Sequence, residues 1–123
     1  MAQRILIVDD SRLTRAIIKN ALTSAGFDVC GEAENGREAI TKFHELRPDV
    51  VTMDLIMPEV DGMQATKEIL SKEPGARILV VTSLGQKLLE EDAMKTGAKG
   101  MIAKPFQPQE LVKAVNDVIA SRD

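Results

Sequence analysis

The residues able to do chemistry in this chain sit where short apolar runs stop. Ile5-Leu6-Ile7-Val8 stops at Asp9 and Asp10, Val50-Val51-Thr52-Met53 at Asp54, Ile78-Leu79-Val80-Val81 at Thr82, and the stretch from Lys99 at Lys104, followed by Pro105. If these runs are strands of one sheet, three carboxylates, a hydroxyl and an ammonium share one edge. Carboxylates crowded together repel, and at least one then titrates high unless something compensates. A hard divalent cation does so. Mg2+ fits because it accepts one or two carboxylates, keeps several waters and completes its shell with phosphate oxygens. An all-oxygen set with no clustered histidine or cysteine argues against zinc. Lys104 supplies charge for a phosphoryl group, Thr82 supplies a hydroxyl donor, and a carboxylate is an accepted nucleophile for phosphate. These are the parts of phosphoryl transfer, whose catalysis is mainly positioning and charge stabilisation.

The elements that must position these residues alternate along the chain. Ile5 to Val8 reads as a buried strand. Leu13, Ile17, Ala21 and Leu22 recur at helical spacing, and Gly26 stands where that helix would stop. Phe27 to Ala33 is a second, less apolar strand. Asn35-Gly36 opens a helix carrying Ala39, Ile40, Phe43 and Leu46, ended by Pro48. Asp49 to Asp54 is a third strand, and a loop with Pro58 and Gly62 leads to a helix carrying Met63, Ile69 and Leu70, closed by Pro74-Gly75. Ile78 to Thr82 is a fourth strand. A weakly patterned helix spans Leu88 to Lys95 and ends near Gly97. Lys99 to Lys104 contains a short fifth strand, and Pro108 suits the first turn of a last helix carrying Leu111, Val112, Val115, Val118 and Ile119.

Five such βα units predict an α/β fold: a five-stranded parallel sheet with helices on both faces, a doubly wound three-layer sandwich. Right-handed crossovers leave few topologies. The flavodoxin-like order 2-1-3-4-5 is adopted from known folds rather than derived. Ligands of open α/β sheets bind beyond the carboxyl ends of the strands, where the five candidate residues fall.

Composition narrows the function classes. The 123 residues suit a single domain with its own core. A net charge of -3 gives no basic field, so nucleic acid is not the expected partner. The lone cysteine, Cys30, cannot form an internal disulfide and fits a reducing compartment. The first apolar run is too short for a signal peptide or membrane span. A cytoplasmic protein without membrane insertion is expected.

The strings Ile5 to Asp10, Met53 to Gly62, Val81-Thr82-Ser83, and Gly97-Ala98-Lys99 through Lys104-Pro105-Phe106 together resemble a response-regulator receiver domain of the single-domain CheY type. Each string alone is weak, and four in order on the right strands are specific. The resemblance covers the whole chain, residues 1–123 as one receiver domain. It implies Asp54 as phosphoacceptor, Asp10 and Asp54 as Mg2+ ligands with the backbone carbonyl of Ile56, and Asp9 assisting through water. It implies that Thr82 and Lys104 contact the phosphoryl group, and that the Lys104-Pro105 bond is cis. The implied donor is a sensor histidine kinase or a small acyl phosphate. The implied output is a target protein bound at the face of the fourth helix, fifth strand and fifth helix, in chemotaxis, by a monomer or a weak phosphorylation-linked dimer. Such a chain is a signalling phosphoacceptor that assists its own phosphorylation and dephosphorylation, not an enzyme.

Plainer readings stand beside these. Asp9 and Asp10 are equally suited to capping the first helix. Lys104 alone would be a solvated lysine, and Thr82 an ordinary strand residue. Asp54 resists such a reading, because an unpaired charge at the end of a buried strand is costly. His44 reads as a partly exposed surface residue, Cys30 as a small strand residue, Met53 and Met94 as core filler, and Glu90-Glu91-Asp92 as a solvated face.

The chain departs from the family where Met101 replaces the common aromatic residue three positions before the strand-five lysine. Ile56 and Leu84, two residues after Asp54 and Thr82, are apolar and cannot hydrogen-bond an attacking water, which predicts slow loss of phosphate. The nearest alternative function is a phosphorelay intermediate passing phosphate to a histidine phosphotransfer domain. A flavodoxin-like electron carrier shares the fold class, but it would want a Ser/Thr/Gly-rich phosphate loop where Asp9-Asp10 stand and aromatic residues around the flavin. The chain has no Trp or Tyr.

Overall fold

The computed structural model describes residues 2–57, 59–83 and 87–121. Ten elements alternate: β1 (Arg4–Val8), α1 (Arg12–Ser24), β2 (Asp28–Ala33), α2 (Gly36–Leu46), β3 (Val50–Asp54), α3 (Gly62–Lys72), β4 (Ile78–Thr82), α4 (Lys87–Thr96), β5 (Gly100–Ala103) and α5 (Pro108–Ala120). The strands form one parallel sheet in the order β2-β1-β3-β4-β5, as expected.

The period-2 geometry of a strand divides its side chains between two cores. Ile5 and Ile7 face a layer with Ile18 and Leu22 of α1 and Leu111, Val115 and Val118 of α5. Leu6 and Val8 face the opposite layer with Ala39 and Phe43 of α2, Met63, Ile69 and Leu70 of α3, and Ala93 of α4. Strands apolar at successive positions therefore need helices on both sides.

Helix ends follow local chemistry. The Ser11, Asn35 and Asp61 side chains accept the backbone N–H groups of Thr14, Glu38 and Gln64 at 3.2, 2.8 and 2.9 Å. Gly26 and Gly97, beyond the ends of α1 and α4, take the left-handed φ values of 93° and 121°. Arg47 does the same after α2 at φ 48°.

Several sequence expectations need correction. Leu13 and Ile17 were placed on the periodic apolar stripe of α1, but they are exposed, and Ile18 and Leu22 carry the packing. Met53 is core, as expected, whereas Met94 is 38% exposed on α4. His44 is half-buried, with its ring edge-on to Phe43 at 5.5 Å and its Nε2 buried without a partner. Cys30 is the strand residue expected, its thiol directed at the Ile5 carbonyl at 3.5 Å and titrating high because of burial. Leu84, one of the two residues behind the expected slow loss of phosphate, lies outside the described residues, as does Pro58.

Candidate functional site

At the carboxyl edge of the sheet the polypeptide leaves β1, β3, β4 and β5 side by side. Asp54, the last residue of β3, pairs with Val81 of β4, and Thr82, the last residue of β4, pairs with Ala103 of β5. Asp9 is held against β2 by its N–H, which donates to the Ala33 carbonyl at 3.0 Å. The Lys104 N–H donates to the Thr82 carbonyl at 2.7 Å. Backbone pairing thus brings residues from four separate stretches of sequence to one place.

Their side chains meet there. Lys104 Nζ lies 2.9 Å from Asp9 Oδ2 and 3.5 Å from Asp54 Oδ2. One carboxylate oxygen each from Asp9, Asp10 and Asp54 lie within 4.8 Å of one another. Asp9 and Asp54 are buried, and Asp10 is exposed. Thr82 is buried one residue beyond Val81, the strand partner of Asp54, and its carbonyl accepts the Lys104 N–H. The Lys104-Pro105 bond is cis, as the resemblance implied.

Burial first, and the neighbouring Asp9 charge second, raise the Asp54 pKa, while Lys104 and the N–H of Ile56 pull the other way. For Lys104, burial lowers the pKa but is outweighed by the hydrogen bond to Asp9 and the charges of Asp54 and Asp9, so its ammonium form is favoured. The two shifts express one arrangement, in which a single cation serves more negative charge than it can neutralise.

The two readings of Asp9-Asp10 can now be separated. Ser11, not either aspartate, caps α1. Asp9 Oδ1 accepts the Ser11 N–H at 2.8 Å, and Asp9 Oδ2 accepts Lys104. Both Asp9 oxygens carry close donors, Asp54 is held more loosely, by the Ile56 N–H at 3.2 Å and Lys104 at 3.5 Å, and Asp10 accepts no hydrogen bond among the described residues, so Asp10 and Asp54 are the carboxylates most available to a cation. One or two carboxylates beside space for water is the pattern Mg2+ prefers, and this donor set fits it. Ile56, half exposed at 53%, gives its N–H to Asp54 Oδ1 at 3.2 Å.

The loop after Asp54 is sharply folded. Gly62 donates its N–H to the Leu55 carbonyl at 3.0 Å, and a Cβ on it would stand 1.7 Å from the Asp54 carbonyl oxygen. Only glycine permits so close an approach. Gly36 docks on the same loop, its N–H 2.6 Å from the Val60 carbonyl.

Sequence reading did not find the group behind Asp9. Arg15 Nη1 donates to the Asp9 carbonyl at 2.6 Å and its Nε to Glu32 Oε1 at 3.0 Å. The available signal was a basic residue near the start of α1, where acidic residues are favoured.

A family model of the response regulator receiver domain matches residues 5–116. The chain is 50% identical over 118 residues to the chemotaxis protein CheY of Thermotoga maritima, covering 96% of this chain and 98% of that one. It is 47% identical over 119 residues to the chemotaxis protein CheY of Bacillus subtilis, covering 97% and 99%. Among solved structures, the CheX-CheY-BeF3-Mg+2 complex from Borrelia burgdorferi superposes with a TM-score of 0.90 at 33% identity, over 97% of this chain and 90% of that one.

Proposed function

We propose, from the premise that this chain belongs to the response regulator receiver family, that Asp54 is the phosphoacceptor of a two-component switch acting in chemotaxis. The chain is a two-component response regulator receiver and a signalling protein rather than an enzyme in the ordinary sense. The observation that carries the Asp54 assignment is the buried carboxylate ending β3, 3.5 Å from Lys104 and clustered with Asp9 and Asp10. Residues 1–123 act as one receiver domain, and the family match over 5–116 supports that extent.

In the proposed reaction an Asp54 carboxylate oxygen attacks the phosphorus of a phosphohistidine on a sensor kinase, or of a small acyl phosphate. A P–O bond to Asp54 forms, and the P–N or P–O bond to the donor breaks. The departing group keeps the electron pair, and Asp54 becomes an acyl phosphate. Burial makes the attacking oxygen more basic. Lys104 binds a phosphoryl oxygen as it leaves its carboxylate partners, and Thr82 offers its hydroxyl to another. Asp10, Asp54 and the Ile56 carbonyl would hold Mg2+, with Asp9 acting through water. Bound there, Mg2+ supplies charge neutralisation between the acceptor and the incoming phosphoryl oxygens. Because the chain contributes the metal and phosphate ligands itself, it assists both gain and loss of the group.

Phosphorylation adds about -1.5 to -2 charges. Driving a two-state element from mostly off to mostly on takes about 5.5 kcal/mol, within reach of a few charge-assisted bonds at about 1.5–3 kcal/mol each. The responding surface is the α4–β5–α5 face, where a cleft of about 340 Å3 is lined by Met94 and Met101 among Lys87, Glu90, Glu91 and Lys95. A downstream protein docks there, in the cytoplasm. No described helix is long and apolar enough to cross a membrane. The apolar Ile56 predicts slow hydrolysis of the acyl phosphate, because it cannot hold an attacking water.

The test is acyl-phosphate labelling with Mg2+ and acetyl phosphate, read by intact-mass spectrometry. The unaltered chain should gain one phosphoryl group, and Asp54→Asn none. Labelling retained in Asp54→Asn would move the acceptor elsewhere.

A further inference from the structure

We infer that Arg15 is a positioning residue for the metal site: with Glu32 it forms a strut from β2 that fixes the Asp9–Asp10 peptide and, through it, the Asp10 carboxylate. The inference rests on the Mg2+ reading of Asp10 and Asp54 given above.

The Asp9 backbone is tied at both ends to the carboxyl end of β2. Its N–H donates to the Ala33 carbonyl at 3.0 Å, and its carbonyl accepts Arg15 Nη1 at 2.6 Å. The Arg15 guanidinium is itself aimed by Glu32, which accepts its Nε at 3.0 Å, and Lys19 stands 3.7 Å from the other Glu32 oxygen. The Arg15 side chain is 13% exposed, so this is an inner contact rather than a solvated ion pair. Asp10 differs from its neighbour. It is exposed, and its carboxylate accepts no hydrogen bond among the described residues. The backbone alone sets where the Asp10 side chain leaves the chain, and the peptide before it is the one Arg15 clamps.

Helix stability does not explain Arg15. The first turn of α1 holds no acidic residue, and Arg15 carries a cation towards the positive end of the helix dipole. Side chains on a helix lean back towards its N-terminus, and this is what lets Arg15 reach the Asp9 carbonyl. The planar guanidinium can hold a carbonyl and a carboxylate at a fixed angle, which a lysine ammonium cannot. Groups that orient metal ligands from behind typically contribute about 10-fold or more to affinity.

Coulomb attraction and the strut predict opposite signs. Removing a cation beside an acidic cluster should by charge alone tighten Mg2+ binding. Losing the strut should weaken it.

The experiment is calorimetric titration of Mg2+ into the full chain, with Arg15→Met, Arg15→Lys, Glu32→Gln and the Arg15→Met/Glu32→Gln pair. The expected result is Mg2+ affinity weaker by about 10-fold in Arg15→Met, also weakened in Arg15→Lys, and weakened less in Glu32→Gln. The double variant should be no worse than Arg15→Met alone. In acetyl phosphate labelling, the half-saturating Mg2+ concentration should rise in step while the rate at saturating Mg2+ holds, and the melting temperature in EDTA should stay near that of the unaltered chain. Unchanged or tighter binding in Arg15→Met, full rescue by lysine, or additive losses in the double variant would overturn the strut. So would a loss matched by a fall in the metal-free melting temperature. If Arg15→Met does not fold, unchanged affinity in Glu32→Gln overturns it. An unaltered chain that binds no Mg2+ would sink the site reading and this inference together, whereas normal binding there with unchanged variants sinks only the inference.

Discussion

The middle and the β5 edge of the sheet are built to different standards. Every residue of β3 and β4 is buried, whereas β5 alternates half-buried and exposed positions. The helices repeat the contrast: α3 buries six residues, including Ile69 and Leu70, while α4 buries only Ala93. Leu88 of α4 and Met101 of β5 are 79% and 48% exposed. Asp54 and Thr82 leave from the tightly packed region, and Lys104 from the loosely packed one. An acceptor must be held in position for phosphoryl transfer, whereas a reporter must move, and moving elements come from regions with few buried apolar contacts. On the proposed function, the division of packing matches a division of labour between a held acceptor and a responding face.

The largest effect that could break this contrast is at Gly62. A Cβ there would stand 1.7 Å from the Asp54 carbonyl oxygen and 2.6 Å from its carbon, both backbone atoms that cannot swing away. Gly62→Ala should cost about 4 kcal/mol or more, in the exceptional tail of single substitutions, because the clash is with fixed backbone, measured by urea unfolding. A loss near 1 kcal/mol would mean the acceptor loop yields, and the middle of the sheet would not be the rigid half. Next comes Leu79 of β4, fully buried in the core layer it shares with Ile5 and α5. Leu79→Ala should cost about 2–5 kcal/mol by the same measurement, as buried leucine truncations do.

The strand ends were legible because buried strands of a parallel sheet read as unbroken apolar runs, and a charge at the end of such a run stands out. Asp9 and Asp54 were found that way, Thr82 as the hydroxyl ending the equally buried β4, and Lys104 only by its place after the short, half-exposed β5. The strand order was not derivable from the runs and came from known folds. The apolar stripe of α1 was misread for a physical reason. Leu13, Ile17 and Ala21 form one i, i+4 row, Ile18 and Leu22 form another about 100° round the helix, and spacing alone does not say which row meets the sheet. Met94 was misplaced because an apolar residue on a weakly patterned helix leaves its face undetermined. Arg15 was invisible, because its role depends on the Asp9 carbonyl and on Glu32 of another element.

A smaller effect sharpens the comparison by showing what the rigid half stores. The raised Asp54 pKa means the folded protein holds a proton there more tightly than the unfolded chain does, whose value is near 3.8. Its contribution to stability is therefore fully present below that unfolded value and is lost as pH rises through the raised folded value. Above that unfolded value Asp54 increasingly opposes folding of the metal-free chain. Asp54→Asn should then melt a few degrees higher than the unaltered chain in EDTA at neutral pH, with the gap closing in acid. Lys104 keeps its nearer partner, Asp9 at 2.9 Å, so losing the 3.5 Å contact offsets only part of the gain. Added Mg2+ should stabilise the unaltered chain more than the variant. A lower metal-free melting temperature for Asp54→Asn at neutral pH would show that Lys104 already settles the charge.

The smallest expected effect lies at the other edge. Met101 takes the place of the aromatic residue common at this position, and its side chain lines the α4–β5 cleft with Met94. Half of it is already in water, so truncation removes little burial and leaves no enclosed cavity. Met101→Ala should change the unfolding free energy by no more than about 0.5 kcal/mol, the usual range for surface substitutions, and should leave acetyl phosphate labelling of Asp54 intact. Leu79→Ala and Met101→Ala, measured side by side, set the two regions on one scale. A cost for Met101→Ala approaching that of Leu79→Ala would mean that β5 is locked as firmly as β4. The freedom to respond to phosphate would then have to reside in α4 alone.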